Sequence, residues 1–175
     1  MTDNCAPEIK ATIASLSDRL LAELAIHHHY FITSESLRQL QLPVPETERY
    51  WRMVDAHNMT MLAITLCKVM ELHGKFRSHF PADLVAALDR INSRLTTANI
   101  QEFRNKFAGH ILDNKTGLPL TSEQLNDYVS KLLDGQPLDE FRHWWWRVRG
   151  RPPLASVAGV LEQLSLYAHG LSREA

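Results

Sequence analysis

The chain has 175 residues, of which 45% are hydrophobic and 22% are charged, and its formal net charge is −1 at pH 7. A chain of this length buries most of its apolar surface within one domain, and the composition is that of an ordinary globular protein. The near-zero charge argues against avid, non-specific nucleic-acid binding, which normally needs a basic surplus. It is compatible both with an RNA that is held locally and with a protein partner such as an antitoxin.

The residue pattern predicts neither a membrane-spanning segment nor a metal site. No apolar run is long enough to span a bilayer, and the first residues lack the basic start of a signal peptide. The two cysteines, Cys5 and Cys67, form neither a disulfide framework nor a metal-ligand spacing, and Cys67 is predicted to be a small core residue. We therefore expect a cytoplasmic protein with no membrane partner, no metal and no cofactor.

The first predicted helix begins at Pro7, which suits the first helical position. Its apolar residues recur at intervals of three and four, namely Ile9, Ile13, Leu16, Leu20 and Leu24. The helix runs into three consecutive histidines, His27, His28 and His29, which invite a metal interpretation. Adjacent ligands on a helix point about 100° apart and cannot close one site, so we favour a structural role at a helix end or interface.

The second predicted helix extends from about residue 47 to residue 73, where Gly74 is a suitable C-terminal cap. Its apolar stripe is interrupted midway by three polar residues, Asp55, His57 and Asn58. They form either a buried polar network, which is the favoured interpretation, or part of the cleft that carries the site described below.

A third amphipathic helix is predicted from about Ala82, and its apolar residues are Leu84, Leu88, Ile91 and Leu95. A fourth helix is predicted to begin near Ala98 and to carry Ile100, Phe103 and Phe107. With Phe107 at the centre of that stripe, Arg104 and His110 each lie about 60° to one side, at the edges of the buried face. From spacing alone, the favoured interpretation is a surface arginine and a histidine at the negative end of a helix dipole.

The C-terminal third carries three further features, which are two predicted helices and the aromatic segment between them. A capping box of Thr121 and Gln124 begins a helix that ends at Gly135, and Pro152 and Pro153 open a last helix that reaches Leu171. Between them, residues 139–151 interleave aromatic residues with arginines, a pattern that is able to stack bases and hold phosphates. Core packing is nevertheless favoured, because one helical face holds Phe141, Trp144, Trp145 and Val148, with Trp146 and the arginines outside.

The segment around Arg104 resembles a known family signature. Arg104-Asn105, four further residues and His110 resemble the Arg-polar-x4–6-His motif of the HEPN superfamily. Looser similarity extends through residues 51–58 and 66–72, which resemble the paired core helices of HEPN proteins of the abortive-infection type. The resemblance covers roughly residues 46 to 113. HEPN proteins are small helical domains, and many are metal-independent endoribonucleases, so the resemblance implies that activity in a toxin or phage-defence factor.

The resemblance also implies roles for individual residues. Arg104 and His110 are then the catalytic pair: the imidazole moves a proton near neutral pH, and the guanidinium offsets charge that grows on the phosphate. Asn105 and Lys106 are the candidate substrate-binding residues. Arg104 and His110 are about 120° apart around an ideal helix and roughly 9 Å apart along it, so one chain converges its own pair poorly. HEPN proteins homodimerise, and motifs from both chains then line one cleft.

The sequence therefore predicts a single all-α domain over residues 1–175, an antiparallel up-and-down bundle of four main helices with additional C-terminal helices. The core is predicted at about residues 7–134 and a C-terminal helical extension at about residues 137–171. The favoured function is a homodimeric, HEPN-like endoribonuclease that acts on RNA. The alternatives are a non-catalytic HEPN-like interaction or RNA-binding module and a structural helical dimer in which Arg104 and His110 only cap and pair.

Overall fold

Helices form the regular structure of the part of the chain that is described. The computed structural model describes residues 6–40, 47–107, 122–147 and 150–171, apart from the side chains of residues 47–54, 56, 106–107, 122–126 and 128. Within these ranges no residue lies in a strand, which confirms the predicted all-α class. None of the helices in the same ranges is both long and apolar enough to cross a membrane.

Along the described ranges the α-helices are, in chain order, α1 (Pro7–Gln39), α2 (Thr47–Phe76), α3 (Ala82–Thr97), α4 (Ile100–Phe107), α5 (Ser122–Leu133), α6 (Leu138–Trp145) and α7 (Val157–Ala168). Short 3-10 turns at Arg77–His79 and Pro153–Ala155 precede α3 and α7. The expected end of the second helix at Gly74 is wrong: the helix continues to Phe76, whose side chain is 7% exposed and anchors the last turn in the core.

Three contacts fix the relative direction of α1 and α2. Glu23 binds Lys68, His27 contacts Asn58 and Thr65, and Arg38 pairs with Asp55. Residue numbers thus rise along α1 as they fall along α2, so the two helices are antiparallel. The arrangement of the four main helices as a whole stays a prediction.

The last of the described helices, α7, is largely buried. It packs against α1 and α3, and most of its residues are buried, namely Val157, Ala158, Gly159, Val160, Leu161, Gln163 and Leu164. A helix that is apolar on nearly all sides is expected to be buried on nearly all sides. Residues 137–171 were expected to form an extension, whereas α7 belongs to the same hydrophobic cluster as α1 to α4.

The aromatic segment of α6 packs inside the protein. Phe141 and Trp145 are each 1% exposed, which confirms the favoured core interpretation for these two residues. Trp146, predicted to lie outside, is half-buried and stacks on His28 with ring centroids 4.7 Å apart. The nearby arginines pair with acidic residues, in the pairs Arg142–Asp139, Arg147–Glu162 and Arg151–Glu140. Val148 and Arg149 of the same segment lie outside the described residues, and contact of these arginines with RNA stays a prediction.

Candidate functional site

A tight turn between α3 and α4 sets the position of the Arg104 segment. Asn99 adopts a left-handed conformation with φ of 54°, which asparagine tolerates better than most residues. Its carbonyl accepts hydrogen bonds from the backbone N–H groups of Glu102 and Phe103 at 3.1 and 3.2 Å, and its side-chain amide donates to the Glu102 carboxylate. The turn starts α4 at Ile100, two residues after the predicted start, and directs Ile100 and Phe103 into the core.

Arg104 lies at the seam between α2 and α4, at the edge of the buried face as the stripe predicts. Its side chain is 34% exposed, and its Nη1 donates to Glu71 Oε1 at 2.8 Å. Its Nε and Nη2 both donate to Asn105 Oδ1 at 3.3 Å. The carboxylate and the amide together hold the guanidinium in one orientation at the surface.

The second half of the predicted catalytic pair is not placed. His110 lies outside the described residues, and so does the side chain of Lys106. The structure therefore brings together Arg104, Asn105 and Glu71, and the pairing of Arg104 with His110 stays a prediction.

Glu71 connects Arg104 to a groove between α1 and α2. The groove has a volume of about 280 Å³, and its lining residues are Leu16, Arg19, Leu20, Lys68, Glu71, Leu72, Lys75 and Phe76. Sequence reasoning missed this feature. Lys68, Glu71 and Lys75 are spaced by three and four residues and so share one side of α2, a signal that was available. The contribution of α1 depends on how the two helices pair, which spacing does not reveal.

A buried polar network joins α1 and α2 farther along their interface. His27 is 7% exposed; its Nδ1 lies 3.1 Å from Asn58 Oδ1, and its Nε2 lies 3.2 Å from Thr65 Oγ1. The Thr65 hydroxyl also lies 3.0 Å from Glu23 Oε2, to which it can donate. The predicted structural role of His27 and the predicted burial of Asn58 are confirmed.

The other polar residues of that predicted group lie elsewhere. Asp55 pairs with Arg38 at the surface, and His57 is exposed. Asn58 precedes Glu71 by thirteen residues, a distance of about 20 Å along a helix. Asn58 itself is therefore distant from Arg104 within one chain, whereas the network continues through Thr65 and Glu23 to Lys68 at the groove.

We expect the protein to lose stability as the pH falls from about 7.5 to about 5.5. Burial lowers the pKa of His27 below its ordinary value of 6.5, although Asn58 and Glu23 oppose the shift, and burial also lowers the pKa of His28. The unfolded chain then binds protons that the folded chain does not, so the contribution to stability is full above 6.5 and is lost as the pH falls through the lowered pKa. Urea denaturation at the two pH values measures the change.

The control for this expectation is His27→Gln, which keeps a hydrogen-bonding side chain without a titrating ring. The variant is expected to depend less on pH than the natural protein over the same range. Asp18 and Glu23 do not interfere, because hydrogen bonds from Ser165 and Lys68 help to hold their pKa values below 3.8 and 4.5. An identical pH dependence in both proteins would show that His27 does not supply the effect.

Comparison with known proteins supports the fold and leaves the function open. No family model matches the sequence, and no curated protein matches it. A solved structure of an integron cassette protein from the mobile metagenome of V. paracholerae, Vpc_cass2, is similar with a TM-score of 0.77 at 20% sequence identity. The match covers 97% of this chain and 98% of that chain, so the likeness of fold extends into the C-terminal helices.

Metal-ligating residues are not clustered in the described ranges. No group of three or more His, Cys, Asp or Glu side chains there is arranged to hold a metal ion. Cys67 is 1% exposed, and burial raises the pKa of its thiol to about 11, so this side chain is a protonated core residue as predicted. Cys5 lies outside the described residues.

Proposed function

We propose that this protein is a HEPN-like, metal-independent endoribonuclease in which Arg104 and His110 from two copies of the chain meet across a shared groove. One observation carries the proposal: the Arg104 guanidinium is held at the surface by Glu71 and Asn105, beside a groove with a cationic rim. The resemblance of residues 104–110 to the HEPN signature supplies the chemistry. A role as a toxin or phage-defence factor, with an antitoxin as a further partner, is part of the same proposal.

The reaction uses the RNA's own hydroxyl as nucleophile. The 2′-oxygen forms a bond to the neighbouring phosphorus, and the bond from phosphorus to the 5′-oxygen breaks. His110 takes the proton of the 2′-OH while water protonates the leaving 5′-oxygen, or it protonates that oxygen while water takes the proton of the 2′-OH. The Arg104 guanidinium binds two phosphate oxygens as their charge grows. The products are a 2′,3′-cyclic phosphate and a free 5′-OH.

The ion pair with Glu71 is compatible with phosphate binding. The Glu71 side chain is 64% exposed, and ion pairs at exposed positions contribute only about 0–1 kcal/mol. A phosphate group that offers two oxygens is therefore able to replace Glu71 on the guanidinium. The Asn105 side chain accepts hydrogen bonds from Nε and Nη2, not from the Nη1 group that Glu71 binds. It therefore continues to orient the guanidinium when phosphate replaces Glu71.

The same ion pair favours a second candidate function. If Arg104 serves only to tie α4 to α2 through Glu71, the protein is a non-catalytic interaction module with a HEPN-like motif. In that case removal of either partner has the same modest effect on stability. The two candidates therefore predict different effects of Glu71→Ala. Under the first, the variant keeps the catalytic arginine and so differs from Arg104→Ala in RNA cleavage. Under the second, the two variants have the same effect, a modest loss of stability.

Mixing two inactive variants tests the cross-chain site. Under the proposal, each site takes Arg104 from one chain and His110 from the other. A heterodimer of Arg104→Ala and His110→Ala chains then contains one intact site and one site that lacks both groups. Refolding an equal mixture should restore about a quarter of the activity of the natural protein, because half of the dimers are mixed and each has one active site.

The measurement is cleavage of a labelled RNA in the presence of a chelator, with size-exclusion chromatography and light scattering to establish the dimer. The separate variants, refolded in the same way, are the controls. A monomer, or a mixture that is no more active than its components, would count against the cross-chain arrangement. Lack of cleavage by the natural protein under all conditions would leave the interaction module as the better description.

A further inference from the structure

The groove between α1 and α2 has an apolar floor. Leu20 and Leu72 are each 3% exposed, Phe76 is 7% exposed, and Leu16 is half-buried beside them. The volume of about 280 Å³ is close to the lower end of the range for small-molecule sites, which is about 300 Å³. A ring-sized apolar group could therefore bury its surface against this floor.

The rim of the groove carries more cations than carboxylates. One carboxylate, Glu23, serves two cations: Lys68 Nζ lies 2.8 Å from both of its oxygens, and Arg19 Nε lies 3.2 Å from one of them. Lys75 Nζ lies over the Phe76 ring at 5.3 Å and meets no carboxylate among the described residues.

Arg104 does not line the groove but adds to this excess through its contact with Glu71. The remaining carboxylate of the lining, Glu71, is bound to Arg104. The surface thus combines four cations with two carboxylates: Arg19, Lys68, Lys75 and Arg104 with Glu23 and Glu71. An anionic ligand complements this charge, and a cationic or neutral ligand does not.

We propose that this groove binds one nucleotide of single-stranded RNA. The base packs against Leu16, Leu72 and the rest of the apolar floor, and its phosphate is held by Lys75 and Arg19 at the rim. A nucleotide combines a flat base, which suits the apolar floor, with a phosphate, which suits the cationic rim. Since Glu71 belongs to both surfaces, the strand that leaves the groove passes directly to Arg104. The inference rests on the proposed function and names the substrate-holding part of the same site.

The test measures binding of a short fluorescein-labelled oligoribonucleotide whose 2′-O-methyl groups prevent cleavage, by fluorescence anisotropy at one fixed salt concentration. Lys75→Glu is expected to weaken binding by about tenfold or more, because a charge-assisted contact is replaced by repulsion. Leu16→Trp, which fills the floor without changing charge, is expected to weaken binding as well. Lys131→Glu on α5 is the matched control, since Lys131 is an exposed lysine outside the groove, and it is expected to bind as the natural protein does.

The outcomes separate this inference from the nuclease proposal. If Lys75→Glu and Leu16→Trp remain folded by circular dichroism and bind RNA as the control does, the groove assignment is wrong, even if the natural protein cleaves RNA. If both weaken binding but the natural protein never cleaves RNA, the groove assignment stands and the nuclease is rejected. A 5′-mononucleotide that binds more tightly than the oligonucleotide would show that the ligand is a free nucleotide and would overturn the assignment to RNA.

Discussion

Arg104→Ala and His110→Ala are each expected to abolish detectable RNA cleavage, which means a loss of at least about 100-fold. Alanine at position 104 removes the fork that binds two phosphate oxygens, and alanine at position 110 removes the group that moves the proton. Initial rates on an end-labelled RNA in chelator measure both effects. Circular dichroism should stay unchanged, because Arg104→Ala removes only a partly exposed ion pair worth about 0–1 kcal/mol.

Three further variants make this expectation sharper. Arg104→Lys keeps the charge and loses the planar fork, so its activity should remain low. Asn105→Ala removes one of the two groups that orient the guanidinium and should lower the rate by a smaller factor. Arg90→Ala, at an exposed arginine on α3, is the control and should cleave normally. Cleavage at the natural rate by Arg104→Ala or His110→Ala would remove the basis for a catalytic role.

Gly159→Ala is expected to destabilise the protein by about 3 kcal/mol, near the upper end of the usual range for overpacking a core. A methyl group at Gly159 would lie 1.9 Å from the carbonyl oxygen and 2.8 Å from the carbonyl carbon of Pro153. Both atoms belong to the backbone of the 3-10 turn at Pro153–Ala155, so the whole turn must move away from α7. The free energy of unfolding, obtained from urea denaturation, measures the effect.

Gly74→Ala provides the matched control with the opposite sign. Gly74 is exposed within α2, and a methyl group there meets no atom within 4 Å. Alanine is expected to stabilise the helix by about 0.5–1 kcal/mol, because glycine loses more backbone freedom on folding. Equal stability of Gly159→Ala and the natural protein would mean that the turn does not pack on α7 as described.

Helical periodicity predicted the local structure where the apolar stripe was regular. In α3, Leu84, Leu88, Ile91 and Leu95 are all buried and the helix begins at Ala82 as expected. Periodicity was insufficient where tertiary contacts decide the outcome. Gly74 lies in a helix because Phe76 is held in the core, and neighbouring sequence alone does not reveal that burial.

At the candidate site, too, spacing along one helix predicted some features, and contacts between helices decided the others. The edge position of Arg104 follows from the buried Ile100 and Phe103, so spacing along one helix was enough to predict it. Its partner Glu71 lies on another helix, thirty-three residues earlier in the chain, where no spacing rule applies. For the same reason, nothing local distinguished Asn58, which meets His27 on α1, from Asp55, which pairs with Arg38.

The packing of α7 against α1 brings the first and last helices of this sequence into one interface. Asp18 accepts a hydrogen bond from the Ser165 hydroxyl at 2.6 Å, a contact between residues that are 147 positions apart. Contacts between such distant segments form only after the intervening chain has been synthesised. During translation, the apolar residues of α1 that pack on α7 therefore stay without that contact until α7 has left the ribosome.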